Sequence, residues 1–281
     1  MTDYAAVTRT VQRVELDANA VLKQAWLLYK RLFTRSVLLA ATVYGAIHFL
    51  QAIASSGHAG VGVTLLTIVL SVAGLALVQG GLVEIVRGLH DDGDDDASVF
   101  EALGRASGRV VKLVCVSILF GLGVGFASLL FVIPGLIVGV WWAVAVPVAM
   151  LEEGNARNAL GRSRALVAGN GWNVFKVLFA VGFLNLIVLL PLTLVAHGSG
   201  PFGIWVATTV GFALTAPYAA HALTVVYYAL VQPGRPVVLE PGRRWESVWS
   251  AEGSAPEQPA TAWDEYERQF EERERRWSKD S

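Results

Sequence analysis

Six apolar stretches alternate with charged segments along the chain: residues 37–54, 61–86, 113–132, 136–151, 177–195 and 202–231. A helix needs roughly 20 mostly apolar residues to cross a hydrocarbon core about 30 Å thick, and these runs are of that order. Surface helices of soluble proteins keep a polar face at the 3.6-residue period. Residues 61–76 are instead apolar on nearly every side. The pattern predicts six transmembrane helices, helical almost throughout, because unpaired amides are too costly in lipid. Residues 113–151 would make a single helix of about 58 Å, roughly twice the membrane, so they must fold back. Pro134-Gly135 is the natural reversal, since proline ends one helix and glycine permits the turn.

Charge orients the spans. All 22 Lys and Arg fall in four segments, 1–36, 87–112, 152–176 and 232–281, which carry 6, 4, 4 and 8 of them. The intervening turns near 55–60, 133–135 and 196–201 carry no Lys, Arg, Asp or Glu. Short basic loops stay cytoplasmic, which predicts both termini inside. The first apolar run begins near Val37, after a long mixed-charge segment, and so reads as an uncleaved anchor rather than a signal peptide. The layout is a cytoplasmic segment 1–36 with an amphipathic helix, a membrane domain 37–231, and a cytoplasmic tail 232–281.

An internal repeat refines this. Each pair of spans follows a short amphipathic stretch. The second stretch contains Ala102-Leu103-Gly104-Arg105 and the third Ala159-Leu160-Gly161-Arg162, with Val21-Leu22-Lys23-Gln24-Ala25 in the same place in the first. Four common residues also recur by chance, and the intervals between copies are unequal. If the repeat is real, the copies enter from one side with two spans each, so they are parallel and predict a pseudo-threefold arrangement about the membrane normal. Many transporters use inverted repeats instead. The fold class is therefore all-α: a polytopic membrane protein, six spans as three hairpins, each preceded by a cytoplasmic amphipathic helix.

Composition narrows the chemistry. Hydrophobic residues make up 54% and charged residues 16%, with a mean hydropathy of +0.51, against about 25% charged in soluble domains. A net charge of −1 supplies no global basic field for nucleic acid. Cys115 is the single cysteine, which excludes an intrachain disulfide and a cysteine-based metal cluster. The five histidines have no zinc-ligand spacing, and neither a GxSxG elbow nor a GxxxxGK loop occurs. The GxGxxG string at 198–203 joins two spans and reads as a turn, and the acidic run 91–96 reads as a solvated loop. No cofactor, metal site or catalytic residue is expected.

The candidate sites are polar groups in or beside the spans. Glu84, three residues before Arg87, reads as an interfacial ion pair. Together with Asn185, Tyr218 and His221, beside Pro217, it forms a candidate cavity. Gly121 and Gly125, like Gly135 and Gly139, have the small-xxx-small spacing of close helix approach. Arg105, Arg109, Lys112, Arg157, Arg162 and Arg164 form a basic collar placed to contact anionic headgroups. In the tail, residues 261–279 read as a charged helix with Trp263, Tyr266, Phe270 and Trp277 in a stripe. It could rest on the protein's own surface, dock a partner helix or touch the membrane.

One block carries a family resemblance. Ile133-Pro134-Gly135, Trp141-Trp142, Pro147, Leu151-Glu152-Glu153-Gly154, Asn158 to Arg162-Ser163, and Trp172 to Lys176 follow one another in order. This resembles the membrane domain attached to some glycerophosphoryl diester phosphodiesterases, also found as free-standing bacterial membrane proteins. The match covers residues 133–176, and the span layout extends it over about 17–231. Activity in those enzymes resides in a separate barrel, which needs about 200–250 residues, far more than the tail provides. The resemblance therefore implies a membrane module without hydrolase activity. The expected role is a non-enzymatic membrane scaffold or partner- and lipid-binding module. The alternative is a transporter or channel for a lipid-related or small hydrophobic molecule.

Overall fold

The protein is described from a computed structural model at residues 16–54, 60–91, 99–232 and 237. Every element among them is a helix. The first repeat comprises α1 (Ala18–Arg31), α2 (Phe33–Ala54) and α3 (Val61–Asp91). The second comprises α4 (Val99–Gly108), α5 (Val110–Leu130), α6 (Val132–Trp141) and α7 (Ala145–Leu151). The third comprises α8 (Ala156–Val167), α9 (Gly171–Ala196) and α10 (Gly200–Val231). Six helices are long and apolar enough to span a membrane, α6 and α7 together forming the fourth. The three hairpins and their leading helices are thus as the sequence predicts. The chain divides into two units, Met1–Val238 and Leu239–Ser281. The tail helix expected at 261–279, residues 92–96 of the acidic run and most of the first outer turn lie outside the described residues.

Within the first unit the two members of each hairpin are unequal. In the most apolar window of each span, 28, 11 and 6% of residues are buried in the first members, α2, α5 and α9. The second members, α3, α6–α7 and α10, bury 44, 44 and 61%. The second members therefore form the centre. α3, α7 and α10 pack on one another, and Val78, Leu82, Val144, Ala149 and Val226 are fully buried there. The first members present Leu122, Phe126 and Leu129 of α5, and Phe179, Leu186 and Leu190 of α9, to the surroundings. In lipid that exposure costs nothing, because acyl chains are as apolar as leucine.

The packing order is cyclic. α2 packs on its own partner α3 and on α10; α5 on α6 and on α3; α9 on α10 and on α6. The leading helices follow the same rule, each lying against the hairpin before it: α4 on α3, α8 on α7, and α1 on α10. This is the pseudo-threefold arrangement expected of parallel repeats. The recurring tetrapeptide is structurally equivalent as well. Ala102 and Ala106, Ala159 and Ser163, and Val21 and Ala25 are all buried, while Gly104, Arg105, Gly161, Arg162 and Lys23 are exposed. One helical face thus repeats three times, with the same tetrapeptide in two of the copies and Ser163 in place of Ala106.

The central hairpin departs from expectation in two ways, at its reversal and in its glycine contacts, while its fourth span breaks beside Pro147, where a proline kink is expected. Its reversal is made by Phe131, in extended backbone (φ −161°, ψ 152°), and Pro134 sits in the first turn of α6. Proline is tolerated there because first-turn amides have no helical acceptor. The fourth span is also broken between Trp141 and Ala145. Pro147 cannot donate to the carbonyl at 143, and its ring crowds that group, so the helix yields just upstream. Finally, Gly121 and Gly125 face open space; the close approaches are made by Gly123 against the Trp142 ring and Gly135 against Ser128. Spacing alone had placed the first contact two residues out of register. The 198–203 string joins two spans as expected: residues 198 and 199 make the turn, and Gly200, at φ +69°, a conformation suited to glycine, begins α10.

Candidate functional site

The collar on the basic face is built from helix ends and the arginines that reach them. Asn155 starts α8 by accepting a hydrogen bond from the Asn158 amide at 2.9 Å. Gly154, at φ +113°, lets the chain reverse from α7 into that cap. The reversal brings Glu152, the residue capping the end of α7, against Arg162 of α8. Arg162 Nε lies 3.3 and 3.2 Å from the two Glu152 carboxylate oxygens. The Tyr227 hydroxyl of α10 donates to the same carboxylate at 3.1 Å. Lys112 donates to the Glu152 carbonyl at 2.9 Å, and Arg109 to the carbonyls of Met150 and Glu152. Two cations at the positive end of α5 would be unfavourable alone; the negative end of α7 offsets them.

Ser163, fully buried, closes the break in the fourth span: its hydroxyl donates to the Trp141 carbonyl at 2.9 Å. That carbonyl is free because the Ala145 amide turns to Trp142 instead, at 3.0 Å. Arg164 lies over the Trp141 ring, 4.4 Å from its centroid. Glu152, Gly154, Arg162 and Ser163 of the sequence block are therefore one structural joint, whereas Pro134 and Gly135 belong to the hairpin's other end.

The first seam repeats the second. Glu84 is 3% exposed and lies 3.1 Å from Arg87 Nε and 3.5 Å from Arg105 Nε. Arg105 and Arg162 occupy the same position of the repeated tetrapeptide. Each meets a glutamate near the end of the preceding hairpin. Gln24 holds that position in α1 and accepts a hydrogen bond from the Val237 amide, just beyond α10, at 2.9 Å. At the third seam the tetrapeptide position thus holds the chain that follows α10. His90 and Gln232 join the ends of α3 and α10 at 3.2 Å.

Of the six collar cations, Arg105, Arg109, Lys112 and Arg162 tie helices together and Arg164 stacks on Trp141. Arg157 is exposed and has no ion pair among the described residues. The four cavity candidates are not brought together. His221 is fully buried in α10, its Nε2 3.1 Å from the Ser36 hydroxyl of α2. Tyr218 packs edge-on against Trp26 and Tyr29 of α1. Asn185 donates to the Thr215 hydroxyl at 2.9 Å, and Glu84 belongs to the collar. Two clefts are lined by other residues: about 560 Å³ between the start of α1 and α9, and about 370 Å³ between α6 and α9. No group of three or more His, Cys, Asp or Glu is placed to hold a metal ion among the described residues.

Sequence reasoning missed Tyr227, Gln24 and the Ser36–His221 pair. Glu84 with Arg87, Glu152 and the repeated arginine carried a signal. No family model, curated protein or solved structure matches the chain.

Proposed function

We propose that the chain is a non-enzymatic scaffold of the bacterial cell membrane, with both termini cytoplasmic, that binds anionic lipids and presents its basic face to a protein partner. The observation that carries this reading is the cyclic collar. Its glutamates and most of its cations are used to tie neighbouring hairpins around an apolar centre, which favours a stiff platform. The one-sided basic charge supports the cytoplasmic placement, and the resemblance of residues 133–176 supports a free-standing membrane module. The packed meeting point of α3, α7 and α10 speaks against a transport path there. Docking through the tail helix is part of the same proposal. The test is photo-crosslinking in cells followed by purification. A partner recovered in fixed proportion is expected; lipid alone, with no protein crosslinked to the basic face or the tail, would sink the scaffold reading.

A further inference from the structure

We propose that the groove between α6 and α9 holds one acyl chain of an anionic phospholipid, with the lipid phosphate at Arg164. This rests on the lipid-binding half of the reading above and gives it a place. The groove is about 370 Å³, walled by Ile133, Leu136, Ile137 and Trp141 on one side and Trp172 and Phe175 on the other. Both walls belong to membrane-spanning helices, so acyl chains are the surrounding medium. The α9 wall continues as an aromatic stripe: Trp172 stacks on Phe175 at 5.3 Å, and Phe179 and Phe183 follow at 6.2 Å steps. The groove lies where α6 of the second hairpin meets α9 of the third.

Size and charge select the occupant. Ligand pockets span roughly 300–1,000 Å³, and this groove is near the lower end, which suits one chain. A protein helix is about 10 Å across and needs a wider seat. A free phosphate has no use for walls of isoleucine and tryptophan. Arg164 stands at the rim over Trp141 and has no acidic partner among the described residues, whereas Arg105 and Arg162 both do. A guanidinium stacked on an indole still presents N–H edges that suit phosphate oxygens.

The experiment reconstitutes the full chain in vesicles of equal parts phosphatidylcholine and phosphatidylglycerol, with bromine on the acyl chains of one lipid at a time. Trp172 quenching is read by difference against Trp172→Phe. Brominated phosphatidylglycerol should quench Trp172 more than brominated phosphatidylcholine, with a preference of about fivefold, the value of one lysine or arginine near a headgroup. Arg164→Gln should abolish the preference, and Arg157→Gln, on the same helix, should leave it. Ile137→Phe, filling the groove from an exposed position, should reduce quenching by both lipids. Equal quenching in the native protein overturns the proposal. So does a preference that survives Arg164→Gln, or one lost equally in Arg157→Gln, which would mark a diffuse basic surface. Partner capture by crosslinking does not depend on the groove, so the scaffold reading stands or falls separately.

Discussion

Tyr227 and Arg162, on different helices, meet at the same carboxylate: the tyrosine hydroxyl donates to Glu152 at 3.1 Å and the guanidinium lies 3.2 Å away. The residue that ends the fourth span thus holds both the last span and the third leading helix. The Arg162–Glu152 pair is partly exposed and alone contributes about 0–1 kcal/mol. The phenol adds about 0.5–1.5 kcal/mol. Tyr227→Phe and Arg162→Gln should each destabilise the protein by about 1 kcal/mol or less. Glu152→Ala, which removes both contacts, should cost more than either. Denaturation in detergent micelles, read by circular dichroism, checks the order.

Glu84 differs because it is buried while its two arginines are near half exposed. Removing the carboxylate leaves cations that can hydrate. Removing both cations leaves a buried charge without compensation, which costs about 3–5 kcal/mol. Arg87→Ala with Arg105→Ala should therefore be more damaging than Glu84→Ala. The opposite order in the same unfolding measurement would show that Glu84 is solvated.

Two glycines on α5 give opposite expectations. A methyl group at Gly123 would collide with the Trp142 ring, and one at Gly121 would meet nothing within 4 Å. Gly123→Ala should destabilise by about 1–3 kcal/mol through overpacking. Gly121→Ala should be neutral or stabilising by up to about 1 kcal/mol, the gain in helix propensity. Comparing the two melting curves tests the register of the central hairpin.

Tyr29 offers a pH test outside the spans. Partial burial in α1 raises its pKa above the ordinary 10.0, and its neutral hydroxyl donates to the Leu214 carbonyl at 3.0 Å. A pKa raised by folding gives stability that is present below the unfolded value and lost as pH rises through the folded one. The docking of α1 on α10 should loosen only above pH 10, and Tyr29→Phe should lessen that alkaline step. Trp26, stacked on Tyr29 at 5.6 Å, reports it by fluorescence. An identical alkaline step in both proteins would count against the contact.

The spans and hairpins were legible because length and apolarity suffice for them. The contacts were harder to read. A helix apolar on every side carries no periodic mark of which face turns inward. Gly121 and Gly123 look alike in sequence, and Tyr218 and His221, three residues apart, face different neighbours. Pro134 was misplaced for a related reason: a proline beside a turn fits the end of one helix or the start of the next, and only the extended backbone of Phe131 decides. The collar was half legible. The repeated arginine stood out, but its partners, Glu84 and Glu152, lie 21 and 10 residues earlier in chains of common residues.

The cyclic order also sets a timetable for biosynthesis. Leu16 donates to Asn170, Tyr29 to Leu214, and Ser36 meets His221, separations of 154, 185 and 185 residues. Among the described residues, the first helix to leave the ribosome has its seat on the last two. Until the third hairpin has entered the bilayer, α1 and one flank of α2 lack the neighbours that α9 and α10 supply, and a chain without that hairpin cannot close. Completion of the ring is thereby a structural record that the third hairpin has been inserted.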